Sequence, residues 1–195
     1  MSADWGDDDD DDIPESGTDW RRARGIFIIA PLSGAAGERV ARLQQQYDPK
    51  LARSSTPHVT LVGSSGVGPI RPDTTVDELR MRLEPITRAT PPIELTFGAP
   101  MRFMQTNIIS LPLDPNGVLR PLFERIRGSG LRFLPVRFSF SPHATLSFYP
   151  TLNRAREREL LALRIPEPLM LDRLVLSLTD DPHPPRRLLE LSLGG

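Results

Sequence analysis

The stretch that most limits what this chain can become is FSFSPHATLSFY, residues 138–149. Successive side chains on a β-strand point to opposite faces. Laid out that way, Phe138, Phe140, Pro142, Ala144, Leu146 and Phe148 fall on one side, and Ser139, Ser141, His143, Thr145, Ser147 and Tyr149 on the other. One face is apolar and the other carries hydroxyls and an imidazole, the pattern of a strand lying half-buried with its polar side toward water, a cleft or a ligand. Residues 57–61 repeat the form: PHVTL there and PHATL at 142–146 differ only at the middle position. Two of the three histidines in the chain belong to this repeat.

With 195 residues the chain can bury a sizeable core, as one domain or as two small lobes sharing a cleft. The absence of cysteine removes disulfides, thiolate metal sites and thiol nucleophiles. No apolar run approaches membrane-spanning length and the N-terminus lacks the pattern of a signal peptide, so a cytoplasmic protein with no membrane partner is expected. The net charge of -1 conceals an asymmetry. Residues 1–19 hold nine acids and no base, which leaves 16 acids against 24 bases for residues 20–195. The acidic stretch is nearly free of aliphatics and is expected to be a disordered, solvated tail; residues 20–195 are expected to form a single bilobal domain. Almost all the bases are arginine, whose planar fork suits phosphate.

Along the ordered part, IFIIAPL at 26–32 reads as a buried strand ended by Pro31, and Val40, Leu43 and Tyr47 recur at helical spacing over 37–47. A loop containing Pro49 leads to the first PHxTL strand, which a Gly/Ser-rich stretch closes at 63–68. Thr75 with Glu78 resembles a capping box before the stripe Val76, Leu79, Leu83 and Ile86. Strands are expected around Ile93, Leu95 and Phe97 and over 107–113, and a third helical stripe runs through Leu119, Leu122, Phe123 and Ile126. The second PHxTL strand follows over 138–149. Asn153 can cap a short helix, and strands at 169–178 and 187–193 finish the chain around a turn at 180–185. Each half thus brings one strand–helix–strand unit ending in PHxTL, as a duplication would.

Histidine titrates close to neutral pH, so two of them can serve one site as acid and base. On each strand the threonine lies two residues beyond the histidine, on the same face and about 7 Å along. Two histidines and two threonines converging from opposite sides suit a tetrahedral anion. The hydroxyls would hold phosphate, one imidazole would activate water, and the other would protonate the leaving alkoxide in line. Ser141 and Ser147 share the expected cleft face; Tyr149 and Phe103 are candidates for stacking on a base, and Arg137, with Arg102 and Arg132, for flanking phosphates. His183 reads as a loop histidine in DDPHPP; a zinc site shared with His58 and His143 has the residue types but no spacing to support it.

The paired PHVTL and PHATL motifs resemble the His-x-Thr-hydrophobic pairs of the 2H phosphoesterase superfamily, which includes the bacterial 2′-5′ RNA ligase-like (LigT-like) RNA 2′,3′-cyclic phosphodiesterases. The resemblance spans most of residues 24–193. It implies an α+β, bilobal LigT-like fold, with two pseudo-symmetric, mostly antiparallel sheets and flanking helices around a central cleft. It also implies cleavage of cyclic or 2′,5′-linked phosphodiesters with no metal and no cofactor. His58 would be the proton donor, His143 the acceptor, and Thr60 and Thr145 the phosphate binders. The implied partner is RNA or a nucleotide bearing a cyclic or 2′-linked phosphate, acted on by a monomer. The same chemistry run backwards is 2′-5′ RNA ligation, and a nucleotide- or RNA-binding protein without turnover could keep the same groups. Val62, Gly63 and Ser64 follow the first motif where many RNA-acting members carry a basic residue and Phe-hydrophobic-Gly. Ser147 and Phe148 follow the second where an arginine is common, so the chain resembles a divergent member.

Overall fold

A computed structural model describes residues 24–103, 106–114, 117–149, 152–180 and 183–194; the acidic segment 1–19 lies outside them. The elements are β1 (Arg24–Pro31), α1 (Gly34–Tyr47), α2 (Pro49–Ser54), β2 (His58–Val62), α3 (Val76–Arg88), β3 (Ile93–Leu95), β4 (Met101–Arg102), β5 (Ile109–Pro112), α4 (Arg120–Arg127), β6 (His143–Ser147), α5 (Arg154–Ala162), β7 (Leu169–Leu171), β8 (Arg173–Asp180) and β9 (His183–Ser192). Seven strands form one sheet in the order β4-β5-β6-β2-β1-β8-β9, every adjacent pair antiparallel, and β3 with β7 forms a second, two-stranded sheet. This is the mixed helix and antiparallel-sheet fold expected from the sequence, with helices flanking two sheets. Among the described residues no helix is long and apolar enough to cross a membrane.

The two PHxTL strands are neighbours at the middle of the large sheet, where Val59 pairs with Ala144. Around that pair the halves correspond. Pro31 of β1 lies opposite His58, and Pro112 of β5 lies opposite His143. β8 then extends one half and β4 the other. Ile26, Ile28, Ala30, Val59, Leu61, Ala144 and Leu146 are wholly buried, so the apolar face of the central strands makes the core. On the other face His58, Thr60, His143 and Thr145 are half-buried.

The helices start where local chemistry allows. The Thr75 hydroxyl accepts from the Glu78 amide at 3.2 Å ahead of α3, and the Asn153 side chain accepts from the Arg156 amide at 3.0 Å ahead of α5. The Asp114 carboxylate takes the Leu119 amide at 2.8 Å and also the Val118 amide ahead of α4.

Four expectations need correction. The strand expected over 138–149 is ordered as β only at His143–Ser147. Pro142 has no N–H to give a ladder, and the preceding residues bond to the loop after β2 instead: the Gly66 amide donates to the Phe138 carbonyl, and the Ser141 amide to the Ser65 hydroxyl. Phe138 is consequently 60% exposed rather than in the core, while Phe140 stacks on Phe123 with centroids 4.0 Å apart. The strand expected over 169–178 is broken at Asp172, whose carbonyl receives the Leu193 amide, so that β7 leaves to pair with β3. The loop expected after Tyr47 contains α2, with Asp48 as its cap. The turn expected to reach Pro185 is shorter, because β9 already starts at His183.

Candidate active site

Continuing the Val59–Ala144 register one residue each way sets His58 opposite Thr145 and Thr60 opposite His143. Each histidine therefore faces the other motif's threonine, and the two imidazoles lie on a diagonal, about 7–8 Å or more between strand positions. The ladder between β2 and β6 consists of that single pair.

Both rings are held in the same way. The His58 Nδ1–H donates to the Thr56 carbonyl at 2.8 Å, with the Ser55 hydroxyl 3.2 Å from the same nitrogen; the His143 Nδ1–H donates to the Ser141 carbonyl at 2.7 Å. A carbonyl can only accept, so the proton of each neutral ring sits on Nδ1 and Nε2 keeps its lone pair. Burial pushes both imidazoles below the ordinary histidine value, and the carbonyl bonds partly oppose this. For His58 the charge on His143 pushes in the same direction as burial.

The supporting groups divide. Phe103 meets the His143 ring edge-on, centroids 4.9 Å apart, and so walls the site beside the imidazole. Ser141 contributes through its carbonyl, and its side chain stands among exposed residues. Arg137 is exposed on the approach to β6. Tyr149 lies beyond the end of β6, in a recess lined also by Arg102, Asn107, Ile109, Leu152 and Glu157 and by neither histidine. Arg102 pairs with Glu157 at 3.0 Å and Arg132 with Asp73 at 3.3 Å.

Ser147 does not face the cleft: it is wholly buried and its hydroxyl has no partner. The β5–β6 pairing moves from Ser110–Thr145 to Ile109–Ser147, two residues on one strand for one on the other, and this bulge turns Ser147 out of the alternation. His183 is remote. It pairs with Asp180, which lies opposite Arg24 at the start of β1, whereas Pro31 opposite His58 ends that strand, seven residues or about 23 Å away. Among the described residues no group of three or more histidine, aspartate or glutamate side chains is gathered as a metal-ligand set.

Sequence reasoning missed two residues that hold the site. Asp48 is wholly buried; one carboxylate oxygen caps α2 through the Leu51 amide at 3.0 Å, and the other takes the Phe148 and Tyr149 amides at 2.8 and 2.9 Å. An Asp followed by Pro is itself a helix-start signal, so the cap was legible although the long-range bonds were not. Gln44, 4% exposed on α1, donates its side-chain amide to the Thr145 carbonyl at 2.8 Å. A polar side chain on the buried face between Val40 and Tyr47 was the available signal.

The fold and the paired His-x-Thr strands are those of the 2H phosphoesterase superfamily. Solved structures share the architecture. TT0787 of Thermus thermophilus aligns over 87% of this chain and 98% of its own, at a TM-score of 0.63 and 18% identity. A structure described as a phosphoesterase covers 89% and 99% at 0.58 and 14%. Escherichia coli LigT, solved with 3′-AMP, covers 89% and 99% at 0.55 and 14%. No curated protein sequence matches the chain. The model of the 2′-5′ RNA ligase superfamily matches residues 31–182, and the chain belongs to that superfamily, one of 2H phosphoesterases and ligases.

Proposed function

We propose that the protein is a cytoplasmic, metal-independent phosphodiesterase that opens a 2′,3′-cyclic phosphate, on an RNA end or a nucleotide, to a 2′-phosphate. The observation that carries this reading is the Val59–Ala144 pair, which sets two His-x-Thr units side by side in opposite directions, each imidazole with Nε2 unbonded by its own backbone. Among the described residues no protein group takes up the Thr60 or Thr145 hydroxyl, leaving both to a ligand's oxygens.

The phosphate sits between the two threonines. Nε2 of His143 takes a proton from water, and the water oxygen forms its bond to phosphorus as the bond to the ribose 3′-oxygen breaks. Nε2 of His58, protonated, gives its proton to that departing oxygen. A 2′-phosphate and a 3′-hydroxyl result, and exchange with solvent restores the pair. Burial favours two neutral imidazoles in the free protein; an anionic phosphate between them favours protonating one, so substrate itself prepares the acid. Escherichia coli LigT, similar in fold, has been solved with 3′-AMP, phosphate and ATP, ligands of the kind this site would hold.

The test is turnover, with EDTA present, of a 2′,3′-cyclic mononucleotide and of a short RNA ending in the same group, with the 2′- and 3′-phosphate products resolved. A 2′-phosphate product that is lost in both His58→Ala and His143→Ala while the proteins stay folded supports the assignment. Near-wild-type activity in either variant would overturn it. Product joined to a 5′-hydroxyl RNA would point to ligation, and tight binding without turnover to a binding protein.

A further inference from the structure

The two halves of the large sheet match position by position. Pro31 opposite His58 corresponds to Pro112 opposite His143, Ala30–Val59 to Leu111–Ala144, Ile29–Thr60 to Ser110–Thr145, and Ile28–Val62 to Ile109–Ser147, with the register shift falling at the same step in both. Residues directly opposite each other on antiparallel strands share a face, so the face that carries the histidines and threonines also carries Pro31, Ile29, Pro112 and Ser110. Proline there matches proline, histidine matches histidine and threonine matches threonine. Of these pairs only Ile29 and Ser110 differ in kind.

Ser110 has no solvent exposure, and among the described residues no protein group bonds its hydroxyl, whereas Ile29 at the matching place is half-buried. A dry hydroxyl without a partner costs more than an apolar group of its size, so a serine here opposes the stability of the free protein. Its neighbour across the strand pair is Thr145. Side chains so placed have Cβ atoms about 4.5–5.5 Å apart, close enough for two hydroxyls to meet after a rotation about χ1. Ser147 is likewise wholly buried with an unpartnered hydroxyl, but the bulge turns it away from the cleft.

We infer that Ser110 is a positioning residue for Thr145: when the Thr145 hydroxyl donates to a phosphate oxygen, the Ser110 hydroxyl donates to Thr145 Oγ1 and so finds the partner it lacks in the free protein. A donor on Oγ1 polarises the Thr145 O–H and strengthens the bond it makes, most of all where no water competes. Thr60 receives no such bond from Ile29, so the Thr145 hydroxyl is the stronger of the two. The inference rests on the proposed role of the threonines in holding phosphate, and it adds a residue to that role.

The experiment measures the dissociation constant of inorganic phosphate, at fixed pH and ionic strength, by NMR titration of the His143 ring in wild type, Ser110→Ala, Ser110→Cys and Ser147→Ala. Ser110→Ala should weaken phosphate binding about fivefold, the worth of one hydrogen bond. Its Tm should hold or rise, because an unpartnered buried hydroxyl has gone. Ser110→Cys, of similar size but with a weak S–H donor, should fall between wild type and alanine. Ser147→Ala removes an equally buried hydroxyl away from the cleft and should leave phosphate binding unchanged. In a Thr145→Val background Ser110→Ala should have no effect, since the bond it removes ends on Thr145 Oγ1. Unchanged affinity in Ser110→Ala, or the same loss with and without the Thr145 hydroxyl, overturns the inference and leaves the phosphodiesterase reading standing. So does a loss of affinity accompanied by a fall in Tm, because packing then explains both. Normal phosphate binding by a wild type that does not turn over a 2′,3′-cyclic mononucleotide overturns the phosphodiesterase reading, and the affinities of the variants still decide the role of Ser110. A wild type that holds no phosphate overturns both.

Discussion

Replacing Asp48 by alanine should cost more stability than any surface change in this chain. The carboxylate is the acceptor for three backbone amides, those of Leu51, Phe148 and Tyr149, at 2.8–3.0 Å, in a position with no solvent exposure. Loss of a helix cap costs about 1 kcal/mol. Each of the other two N–H groups, left buried without an acceptor, costs about 1–3 kcal/mol. The total is roughly 4 kcal/mol, a large part of the 5–15 kcal/mol that usually holds a domain folded. For a chain of this size the loss corresponds to a fall in Tm of about 8–16 °C. Asp48→Asn keeps one oxygen but sets an NH2 against the remaining amides, so its Tm should fall to an intermediate value. Calorimetry or circular dichroism on the two variants measures both. A fall below about 2 °C for Asp48→Ala would refute the reasoning, because the three amides would then be satisfied by something else. So would an Asp48→Asn variant as damaged as the alanine, because it would mean that filling the space, rather than accepting hydrogen bonds, is what Asp48 does.

Four further outcomes follow from the same structure. The proposed mechanism needs one imidazole charged and one neutral, and both are lowered from 6.5, so kcat/KM should be highest on the acid side of 6.5 and fall as pH rises through that range; a pH–rate profile still climbing toward pH 8 would contradict it. The same lowered values mean that their contribution to stability is complete above 6.5 and is lost as pH falls, which thermal unfolding against pH reads directly. Ser147→Ala removes a buried hydroxyl that has no partner, so Tm should stay level or rise and turnover should persist; a tenfold loss of kcat would return Ser147 to the site. Gly63→Ala sets a Cβ 2.1 Å from the Phe27 ring at a φ of +136°, and should destabilise by about 2–5 kcal/mol in denaturant unfolding, a near-zero change being the contrary result.

What was legible in the sequence was whatever a residue's near neighbours decide. The alternation within PHVTL and PHATL, Thr75 ahead of α3 and Asn153 ahead of α5 each depend on partners within four residues, and the polar faces of both PHxTL strands emerge as read. What failed depends on distant chain. Strict alternation puts Ser147 in the cleft, but a bulge against Ile109 and Ser110 interrupts that period, and no local feature of the strand announces it. Phe138 continues the apolar face of the sequence pattern, yet its carbonyl is taken by the Gly66 amide, 72 positions earlier, and the chain leaves the sheet. Asp48 shows both cases in one side chain: its cap bond spans three residues and its other bonds span 100 and 101.

Those distant bonds follow a rule that antiparallel neighbours impose. Where β2 and β6 run side by side in opposite directions, the lead-in of one lies next to the exit of the other. Asp48, ahead of the first motif, holds the amides of Phe148 and Tyr149 after the second; Ser65 and Gly66, after the first motif, bond Ser141 and Phe138 ahead of the second. Each histidine is thereby tied to a segment that the other half braces. His58 hangs on the Thr56 carbonyl just past α2, which Asp48 caps, and His143 on the carbonyl of Ser141, whose amide is bonded to Ser65. The separation of the two imidazoles, on which the proposed in-line displacement depends, is therefore set by the strand pair and its braces.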